Sequence, residues 1–422
     1  MLQKKNTRIV FFMLSLVPSI ARSTVFDNRF IPLYDRQWLL INGLPSFFAT
    51  DVFFITGSKA FGANEDTIGI PEIFGPFDQG QLSNALEMLG IPTTLRTDWR
   101  GAKIPLRLEG KLQGQGFEAA WYQNITTCAN RVECGFGVDW LFMRVNSTQQ
   151  FLLPNQTAEK DRVDLNLGPS DIPELDQERR QMFQTMSIVQ EQAHQVGFGD
   201  IDGYLRIARL WKHVMKCRKI DVGFRLGCLF PTGVRHDVNV PASIPFGGNG
   251  HWGLYGQLEG IFEVKEDIKV GFLTRLTKRL PHTQCSRIPV LNEPIIFGAE
   301  VGPLRTNPGV TFNVAPFFIL ENLAEGLGGS VRYVLTLHAE DELCDKRCTK
   351  GDVPVRLSQA EDFSSWASSY FTVNVFYDFG KMKAKRAFDP IISLQWEVPS
   401  MMFAPKRVAQ THKIALGVTF SY

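Results

Sequence analysis

Long segments in which apolar and polar residues alternate are the feature that most restricts how this chain can fold. Period two is the signature of a β-strand, because successive side chains of a strand point to opposite faces. The segment 219–230 alternates without a break. One face carries Ile220, Val222, Phe224, Leu226, Cys228 and Phe230. The other face carries Lys219, Asp221, Gly223, Arg225 and Gly227, so this segment is predicted to be a strand with one apolar face.

The same alternation recurs along the chain and predicts many strands. It is found in segments 252–264, 268–277, 310–321, 327–338, 371–379, 387–397 and 413–422, and upstream in 135–145 and 199–210. Segment 36–56 is interpreted as a hairpin that turns at Gly43 to Ser46. Segment 104–122 is either one long strand or a hairpin around Gly114 and Gly116. The total is about 12 to 14 strands, and an even number is expected.

Three features favour a membrane barrel over a soluble β-sandwich. The segments run about 10–13 residues, which suits tilted membrane strands better than soluble sheets. Short connections near 266–267, 322–326 and 381–385 alternate with long ones near 231–250, 278–309, 339–369 and 398–411, as in outer-membrane barrels. Aromatic residues recur near the ends of the apolar faces, at Trp252, Phe262, Phe318, Trp396 and Phe420. The predicted fold class is therefore all-β, an antiparallel transmembrane β-barrel.

The N-terminus has the pattern of a secretory signal. Lys4, Lys5 and Arg8 precede an apolar run over 9–17, and small residues follow at Ser19 and Ala21. The run is shorter than the ~20 residues that a spanning helix needs. The predicted organisation is a signal peptide at 1–23, an N-terminal segment at 24–102 with the first strands and a periplasmic or plug region, and the barrel at 103–422.

Composition excludes some classes of function. Lys and Arg total 45 and Asp and Glu total 43, so there is no electrostatic reason to expect nucleic-acid binding. The mature chain has no run of 18 apolar residues, so no helical span is predicted. A membrane protein without such a span must be a closed barrel, because lipid offers no hydrogen bonds to unpaired backbone groups.

The last ten residues, KIALGVTFSY, form an amphipathic strand that closes on Phe420 and Tyr422. This ending resembles the assembly signal of bacterial outer-membrane proteins. The resemblance implies localisation in the outer membrane, insertion by the outer-membrane assembly machinery, and both termini in the periplasm.

A second resemblance covers roughly 197–277. The sequence GFGDIDGYLRIARLW from Gly197, and IDVGFRLGCLFPTG ending at Gly233, are similar to a group of outer-membrane channels, the aromatic-degradation transporters and long-chain fatty-acid channels. These channels often have Gly-Asp at a strand start and a strand that closes in Pro-Thr-Gly. The resemblance implies a channel for small, hydrophobic molecules.

The inward face of the strands is the candidate site. Charges of both signs are predicted to face the lumen, and inward glycines leave room. The charged residues are Asp221, Arg225, Glu259, Arg275, Arg332 and Asp378. One interpretation is a small water-filled pore for passive uptake of small molecules. The other is a structural or adhesive barrel whose lumen is filled by paired charges and does not transport.

One segment has a helical pattern instead. Asp171 to Glu174 is interpreted as a capping box with Pro in the first turn, and Gly197 is predicted to end the helix. Met182, Met186 and Val189 follow the apolar stripe of the predicted helix, which lies in a long external loop. The helix is either a surface decoration or a lid or plug of the pore.

The seven cysteines all lie in the mature chain. In an oxidising compartment, the spacing predicts two local disulfides, Cys128–Cys134 and Cys344–Cys348. A zinc site of His338, Cys344 and Cys348 is the weaker alternative, since three loosely spaced ligands are too few for a structural site. Cys217, Cys228 and Cys285 stay unassigned.

An enzyme is the remaining alternative. His251, His282 and His338 are isolated in the sequence, with no nucleophile and acid at matching strand height, so no catalytic residues are predicted. No cofactor and no metal are expected. The predicted partners are outer-membrane lipids, the assembly machinery and a small-molecule cargo that the sequence does not identify.

Overall fold

The period-two alternation becomes a closed antiparallel β-barrel of 12 strands, as predicted. The computed structural model describes residues 29–30, 46–64, 66–93, 95–128, 132–152, 170–214, 216–348, 353–381 and 389–422. The predicted signal peptide at 1–23 and the first arm of the predicted hairpin, at 36–45, lie outside these residues.

The strands are numbered in chain order. They are β1 (Phe47–Phe61), β2 (Thr67–Ile68), β3 (Phe77–Asp78), β4 (Pro105–Cys128), β5 (Val132–Leu152), β6 (Gln192–Phe198), β7 (Ile201–Val214), β8 (Cys217–Phe230), β9 (Gly253–Lys265), β10 (Ile268–Arg279), β11 (His282–Ile288), β12 (Glu300–Asn307), β13 (Val310–Ala324), β14 (Leu327–His338), β15 (Glu342–Asp345), β16 (Trp366–Asp378), β17 (Ile391–Pro399) and β18 (Val408–Ser421). The helices are α1 (Gln79–Met88), α2 (Asp171–Thr185) and α3 (Ser358–Asp362), with 3₁₀ turns at Ile70–Phe74, Ile295–Phe297 and Phe379–Lys381.

The barrel closes because β1 pairs with both β18 and β4. The first barrel strand therefore lies within the N-terminal segment 24–102, and the second arm of the hairpin predicted over 36–56 falls in β1. Segment 104–122 forms the single long strand β4 rather than a hairpin. Strands β11, β12 and β15 form a separate sheet of three strands.

The two ends of the barrel differ in their connections. Tight turns join β9 to β10 and β13 to β14, and the Tyr422 N–H donates to the Ser46 carbonyl at 2.9 Å at this same end. At the opposite end, long connections hold α1, α2, α3 and the three-stranded sheet. We call these the short-turn end and the long-loop end. Long loops are extracellular in outer-membrane barrels, so the long-loop end faces outward from the cell.

Apolar residues cover the outside of the wall, and polar residues line its inside. On β8, Phe224 is 48% exposed and Leu226 is 60% exposed, whereas Arg225 between them is 2% exposed. This arrangement, apolar outside and polar inside, is the reverse of that in soluble proteins. It continues around the barrel and gives it an outer surface that is compatible with lipid. Among the described residues, no helix has the length and apolar character to cross a membrane.

The helix over 171–196 is only partly as predicted. Helix α2 ends at Thr185, and residues 192–198 form β6, which pairs with the upper part of β5. The predicted helix end at Gly197 is wrong because the edge of β5 offers backbone partners to the segment, and Ser187 (φ 59°) turns the chain before it. The predicted capping box is also wrong: Ser170 is the N-cap, and Asp171 instead accepts a hydrogen bond from Arg96 at 3.1 Å.

Candidate functional site

All six residues that were predicted to face the lumen are buried and lie on the inner face of their strands. They are Asp221, Arg225, Glu259, Arg275, Arg332 and Asp378. Their exposures lie between 2% and 7%. In a wide, water-filled pore, inner side chains would be exposed to solvent. The lumen is therefore packed with side chains at these levels, as twelve strands allow when the side chains are large.

Ion pairs join the inner faces of β7, β8 and β9. Arg206 of β7 forms ion pairs with Glu259 and with Asp221, whose Oδ2 lies 3.5 Å from the arginine Nη2. Arg225 binds the same Glu259 at 2.8 Å. Arg206 lies directly opposite Arg225 in the sheet, a placement that is unfavourable for like charges. The shared carboxylate of Glu259 compensates for it, so Arg206, which the sequence analysis missed, is the centre of this cluster.

A second inner cluster involves Arg275. Its Nη2 lies 3.4 Å from Asp202 Oδ2, and its guanidinium lies 3.4 Å from the centroid of the Tyr255 ring. The Tyr255 hydroxyl donates to Asp202 at 2.8 Å. Arg332 and Asp378 lie on β14 and β16, away from both clusters, and Asp378 accepts the Gly380 N–H at 2.9 Å. Of the six predicted residues, the structure thus brings only Asp221, Arg225 and Glu259 together in one cluster.

Two inward glycines, Gly137 and Gly227, lie under tyrosine rings instead of leaving open space. A Cβ on Gly137 would lie 2.2 Å from Tyr204 Cζ, and a Cβ on Gly227 would lie 2.2 Å from Tyr255 Cζ. Each glycine is directly opposite the tyrosine on the next strand. The rings therefore lie flat against the wall, where a side chain on the neighbouring strand would otherwise stand.

Asp200, at the break between β6 and β7, holds one extracellular loop to the top of the lumen. Its carboxylate accepts the N–H groups of Gly233 at 3.2 Å and of Gly248 at 2.7 Å. Arg279 donates to the same carboxylate at 2.9 Å and to the His251 carbonyl at 2.8 Å. These contacts form a polar floor beneath the loops of the long-loop end.

A cavity of about 250 Å³ lies above this floor, and we call it the mouth cavity. Its apolar lining comes from four separate parts of the chain. The apolar residues are Phe30, Phe74, Ile295, Ile296, Leu304, Phe363 and Trp366. Polar side chains, among them Arg29, Arg287, His236 and His251, lie between these apolar residues and can orient a bound ligand.

Two histidines of the mouth cavity, His236 and His251, are disfavoured as cations by their burial. Burial lowers the pKa of His236 and of His251 below the ordinary value of 6.5. His236 Nδ1 lies 2.8 Å from Ser243 Oγ, and His251 Nδ1 lies 2.9 Å from the Leu280 carbonyl oxygen. Since a carbonyl only accepts, His251 carries its proton on Nδ1 and presents Nε2 as an acceptor.

Two arginines support the lining through backbone carbonyls. Arg29 donates to the carbonyls of Ile73, Phe363 and Ser364, at 3.3, 2.9 and 2.8 Å. Arg287 donates to three further carbonyls, among them that of Met186 at 2.9 Å. Burial lowers the pKa of each arginine to about 10, so both stay charged at neutral pH. The structure thus places Arg29 and Phe30, from the N-terminal segment, inside the barrel.

His338 is not isolated, contrary to the sequence interpretation. Its Nδ1 lies 2.8 Å from Thr311 Oγ1 and its Nε2 lies 3.0 Å from Asp341 Oδ1. Burial would raise the pKa of Asp341, but hydrogen bonds from His338 and the Gly309 N–H bring it below its usual value. Thr311 is only 1% exposed, so no substrate reaches its hydroxyl as a nucleophile. The chain of hydrogen bonds fixes the loop after β14.

Helices α1 and α2 form an apolar cap at the long-loop end. Phe183 of α2 packs on Phe77, Phe151 and Phe297, with ring centroids 6.0, 5.5 and 5.6 Å away. The cap adjoins the mouth cavity, because Ile296, next to Phe297, lines that cavity.

The residues predicted to act as a lid or plug are placed unequally. Met182 and Met186 are buried in the cap, at 1% and 7% exposure. Val189 lies beyond the end of α2 and is 72% exposed, so it does not belong to the buried stripe. The reason is the early end of α2, which releases Val189 from the helical register.

The predicted disulfides are not formed in the described part of the structure. Cys344 and Cys348 are free and exposed, because Cys344 lies in β15, where pairing with Arg305 of β12 keeps the chain extended. Cys134 is also free and lies opposite Thr126, while Cys128, whose side chain is not described, lies opposite Val132. No three of the described His, Cys, Asp or Glu side chains group as metal ligands, so the zinc alternative with His338, Cys344 and Cys348 finds no site there.

Comparisons with known proteins agree on the architecture. No family model and no curated protein matches the chain. Among solved structures, it is similar to an outer membrane channel from Pseudomonas putida F1, with 9% identity, a TM-score of 0.51, and coverage of 92% of this chain and 100% of that one. The transport unit of the autotransporter AIDA-I from Escherichia coli matches at 6% identity, with coverage of 92% and 93% and a TM-score of 0.37. The toluene transporter TodX from Pseudomonas putida matches at 9% identity, with coverage of 89% of each chain and a TM-score of 0.32.

At these identities the likeness concerns the fold alone, and of these three structures the first has a TM-score above 0.5. That fold is the closed barrel with an apolar outside and a polar inside. The chain is an outer-membrane β-barrel protein.

Proposed function

We propose that this protein is an outer-membrane channel for the passive uptake of small, largely apolar molecules, which first bind in the mouth cavity. The observation that carries the proposal is the mouth cavity itself. Its volume of about 250 Å³ exceeds the roughly 150 Å³ of an engineered apolar cavity that holds benzene. A molecule of one or two rings fits, with Phe74, Phe363 and Trp366 as its contacts.

The packed lumen supports an apolar cargo rather than ions. Inner charges such as Arg206 and Arg225 are neutralised by Glu259 and Asp221, and little room for hydrated ions remains at this level. Among the described residues, the hydrogen-bonded chain of Thr311, His338 and Asp341 gives no support to an enzymatic function, because Thr311 is buried away from any substrate. A structural or adhesive barrel is the second candidate, and it would not need an apolar cavity at its outer end.

Direct binding tests the proposal. Iodobenzene bound in the cavity should quench the fluorescence of Trp366, which is isolated as the difference between the parent and Trp366→Phe. The variant Thr306→Phe should abolish this quenching, because Thr306 lines the cavity and a ring there occupies its space. The control Thr283→Phe places the same ring at an exposed position of β11, and binding should be unchanged.

Transport is measured separately, as uptake of radiolabelled toluene by intact cells that express each variant. Uptake should fall for Thr306→Phe and stay at the parent level for Thr283→Phe. If the parent binds no iodobenzene and all variants give the uptake of cells without the protein, the structural barrel is the correct assignment.

A further inference from the structure

A row of aromatic rings marks the upper edge of the apolar surface on β4 and β5. Phe117 of β4 lies opposite Phe142 of β5, and Phe142 lies opposite Phe198 of β6. The Phe142 and Phe198 rings are 5.1 Å apart. Aromatic girdles lie at the level of the membrane interface, so this row places the boundary of the outer leaflet on these strands.

Polar residues begin directly above the row and continue to the top of β4 and β5. Gln115 lies opposite Arg144, Gln113 opposite Asn146, and Lys111 opposite Thr148. Their side chains point away from the lumen, because the residues between them, such as Leu112 and Val145, are buried inside. We call the following set the outer basic patch: Arg107, Lys111, Gln113, Gln115, Arg144 and Asn146.

The charge of this surface is biased to one sign. Above the aromatic row, the outer faces of β4, β5 and β6 carry the cations Arg107, Lys111 and Arg144 and one carboxylate, Glu109. Gln113, Gln115 and Asn146 add amide donors between the cations. Except for the half-buried Asn146, the patch residues are exposed. A surface of cations and amides that stands on an aromatic girdle is complementary to an anionic, hydroxyl-rich head group.

We propose that the outer basic patch binds the phosphorylated sugar head group of a glycolipid in the outer leaflet. Arg144 lies two residues above Phe142, about 7 Å along the strand, where a phosphate next to the acyl chains would stand. Lys111 lies four residues above Gln115, the partner of Arg144, or about 13 Å further. Two cations at this spacing match a disaccharide with a phosphate at each end.

The chemistry of each contact follows from the residue type. The guanidinium of Arg144 donates two parallel hydrogen bonds to a phosphate, and Lys111 acts as a point charge. The amides of Gln113 and Gln115 lie between them on β4 and donate to sugar hydroxyls. The acyl chains of the same lipid then cover the rings of Phe117 and Phe142, so one molecule spans the girdle and the patch.

Native mass spectrometry of the purified protein in detergent tests this proposal. The probes are a bisphosphorylated diglucosamine lipid and the same lipid after removal of both phosphates. The parent should retain the phosphorylated lipid and bind the dephosphorylated form more weakly. The double variant Lys111→Gln/Arg144→Gln should bind the phosphorylated lipid about tenfold more weakly, since each basic residue near the surface adds to the attraction.

Two matched variants separate this surface from a general charge effect. Glu109→Gln removes the carboxylate of the patch and should tighten binding. Lys265→Gln removes an exposed cation at the short-turn end and should leave binding unchanged. Equal retention by the parent and the double variant would overturn the proposal. So would equal binding of the two lipid forms, or full displacement of the lipid by inorganic phosphate.

Discussion

The carboxylate of Asp200 accepts the N–H of Gly233 at 3.2 Å, which joins two motifs that lie 33 residues apart. The Gly-Asp pair at the start of β7 and the Pro-Thr-Gly at the end of β8 contact each other a second time, where the Thr232 hydroxyl donates to the Gly199 carbonyl at 2.9 Å. A Cβ at position 233 would lie 2.3 Å from the Phe246 carbonyl oxygen, so only glycine fits. The two motifs therefore form one structural unit.

Replacement of Asp200 should weaken this unit strongly. Asp200→Ala leaves the buried guanidinium of Arg279 without its carboxylate, and the loss of one partner of a buried ion pair costs about 3–5 kcal/mol. Urea unfolding, followed by the gel mobility of unboiled samples, measures the loss. The double variant Asp200→Ala/Arg279→Met should recover part of it, and a double variant that is less stable than the single one would refute the pairing.

The facing of β8 gives a second prediction. Phe224 lies on the lipid side, so Phe224→Arg should cost about 2–4 kcal/mol if it lies near the bilayer midplane. Phe224→Leu keeps an apolar side chain there and should cost less than about 1.5 kcal/mol. Urea titrations in lipid vesicles measure both changes. If arginine and leucine were equally tolerated at this position, the assigned register would be incorrect.

The period-two alternation that places Phe224 on the lipid side also shows which features of the structure can be predicted from the sequence. A barrel needs each strand to keep one apolar face, so period two predicts both the fold and the buried side of Arg225. It does not predict which charges meet, because Arg206, Asp221 and Glu259 come from three strands whose relative register is set by the whole barrel. For the same reason the tyrosines that cover Gly137 and Gly227 could not be identified from the sequence.

The mouth cavity could not be predicted from the sequence. Its wall combines Phe30 from the N-terminal segment, Ile296 from a 3₁₀ turn, Phe363 from the loop before β16, and Trp366 from the start of β16. None of these residues is part of a local motif, and only the packing of the loops brings them together. For helix α2 the sequence pattern predicts too much structure. The apolar stripe continues in the sequence to Val189, but the following segment pairs with β5 as a strand and the helix ends earlier.

The cap gives a third prediction, which tests the lid interpretation. Phe183→Ala removes the ring that packs on Phe77, Phe151 and Phe297, and should cost about 3–5 kcal/mol within the cap. The barrel strands are not touched, so insertion should be normal and uptake of radiolabelled toluene should rise. Val189→Ala, at an exposed position, should change neither stability nor uptake. Unchanged uptake with a destabilised cap would make the cap a surface decoration.

The long-loop end should lose stability in mild acid. Burial lowers the pKa of His236 and His251 below 6.5, so the unfolded loop binds protons more readily than the folded loop. The stabilisation that the two neutral histidines give to the folded loop is complete above about pH 6.5. It falls as the pH drops from there through the lowered pKa values. Asp341, whose pKa is lowered, adds a further loss of stability only below about pH 3.8.

Hydrogen exchange of residues 231–251 measures this effect, after correction for the intrinsic pH dependence of exchange. Protection should fall between pH 7.5 and pH 5.5 in the parent. The double variant His236→Gln/His251→Gln has no group that titrates in this range at those positions, so its protection should be independent of pH there. A pH dependence that survives in the double variant would assign the effect to other residues.

The last prediction concerns the tyrosine that lies over Gly227. A Cβ at this position would lie 2.2 Å from Tyr255 Cζ, so Gly227→Ala must push the ring into the lumen. The move breaks the hydrogen bond to Asp202 and the contact with Arg275, and such overpacking costs about 1–3 kcal/mol. The displaced ring also narrows the lumen, so uptake of radiolabelled toluene should fall together with stability. The variant Gly227→Ala/Tyr255→Ala should show a coupling energy of about 0.5–3 kcal/mol, because the added methyl no longer meets a ring. Gly256→Ala is the matched control, since its Cβ would lie 3.7 Å from the Phe224 ring on the lipid side, an ordinary contact distance. Additive costs in the double variant would mean that Tyr255 does not lie over Gly227.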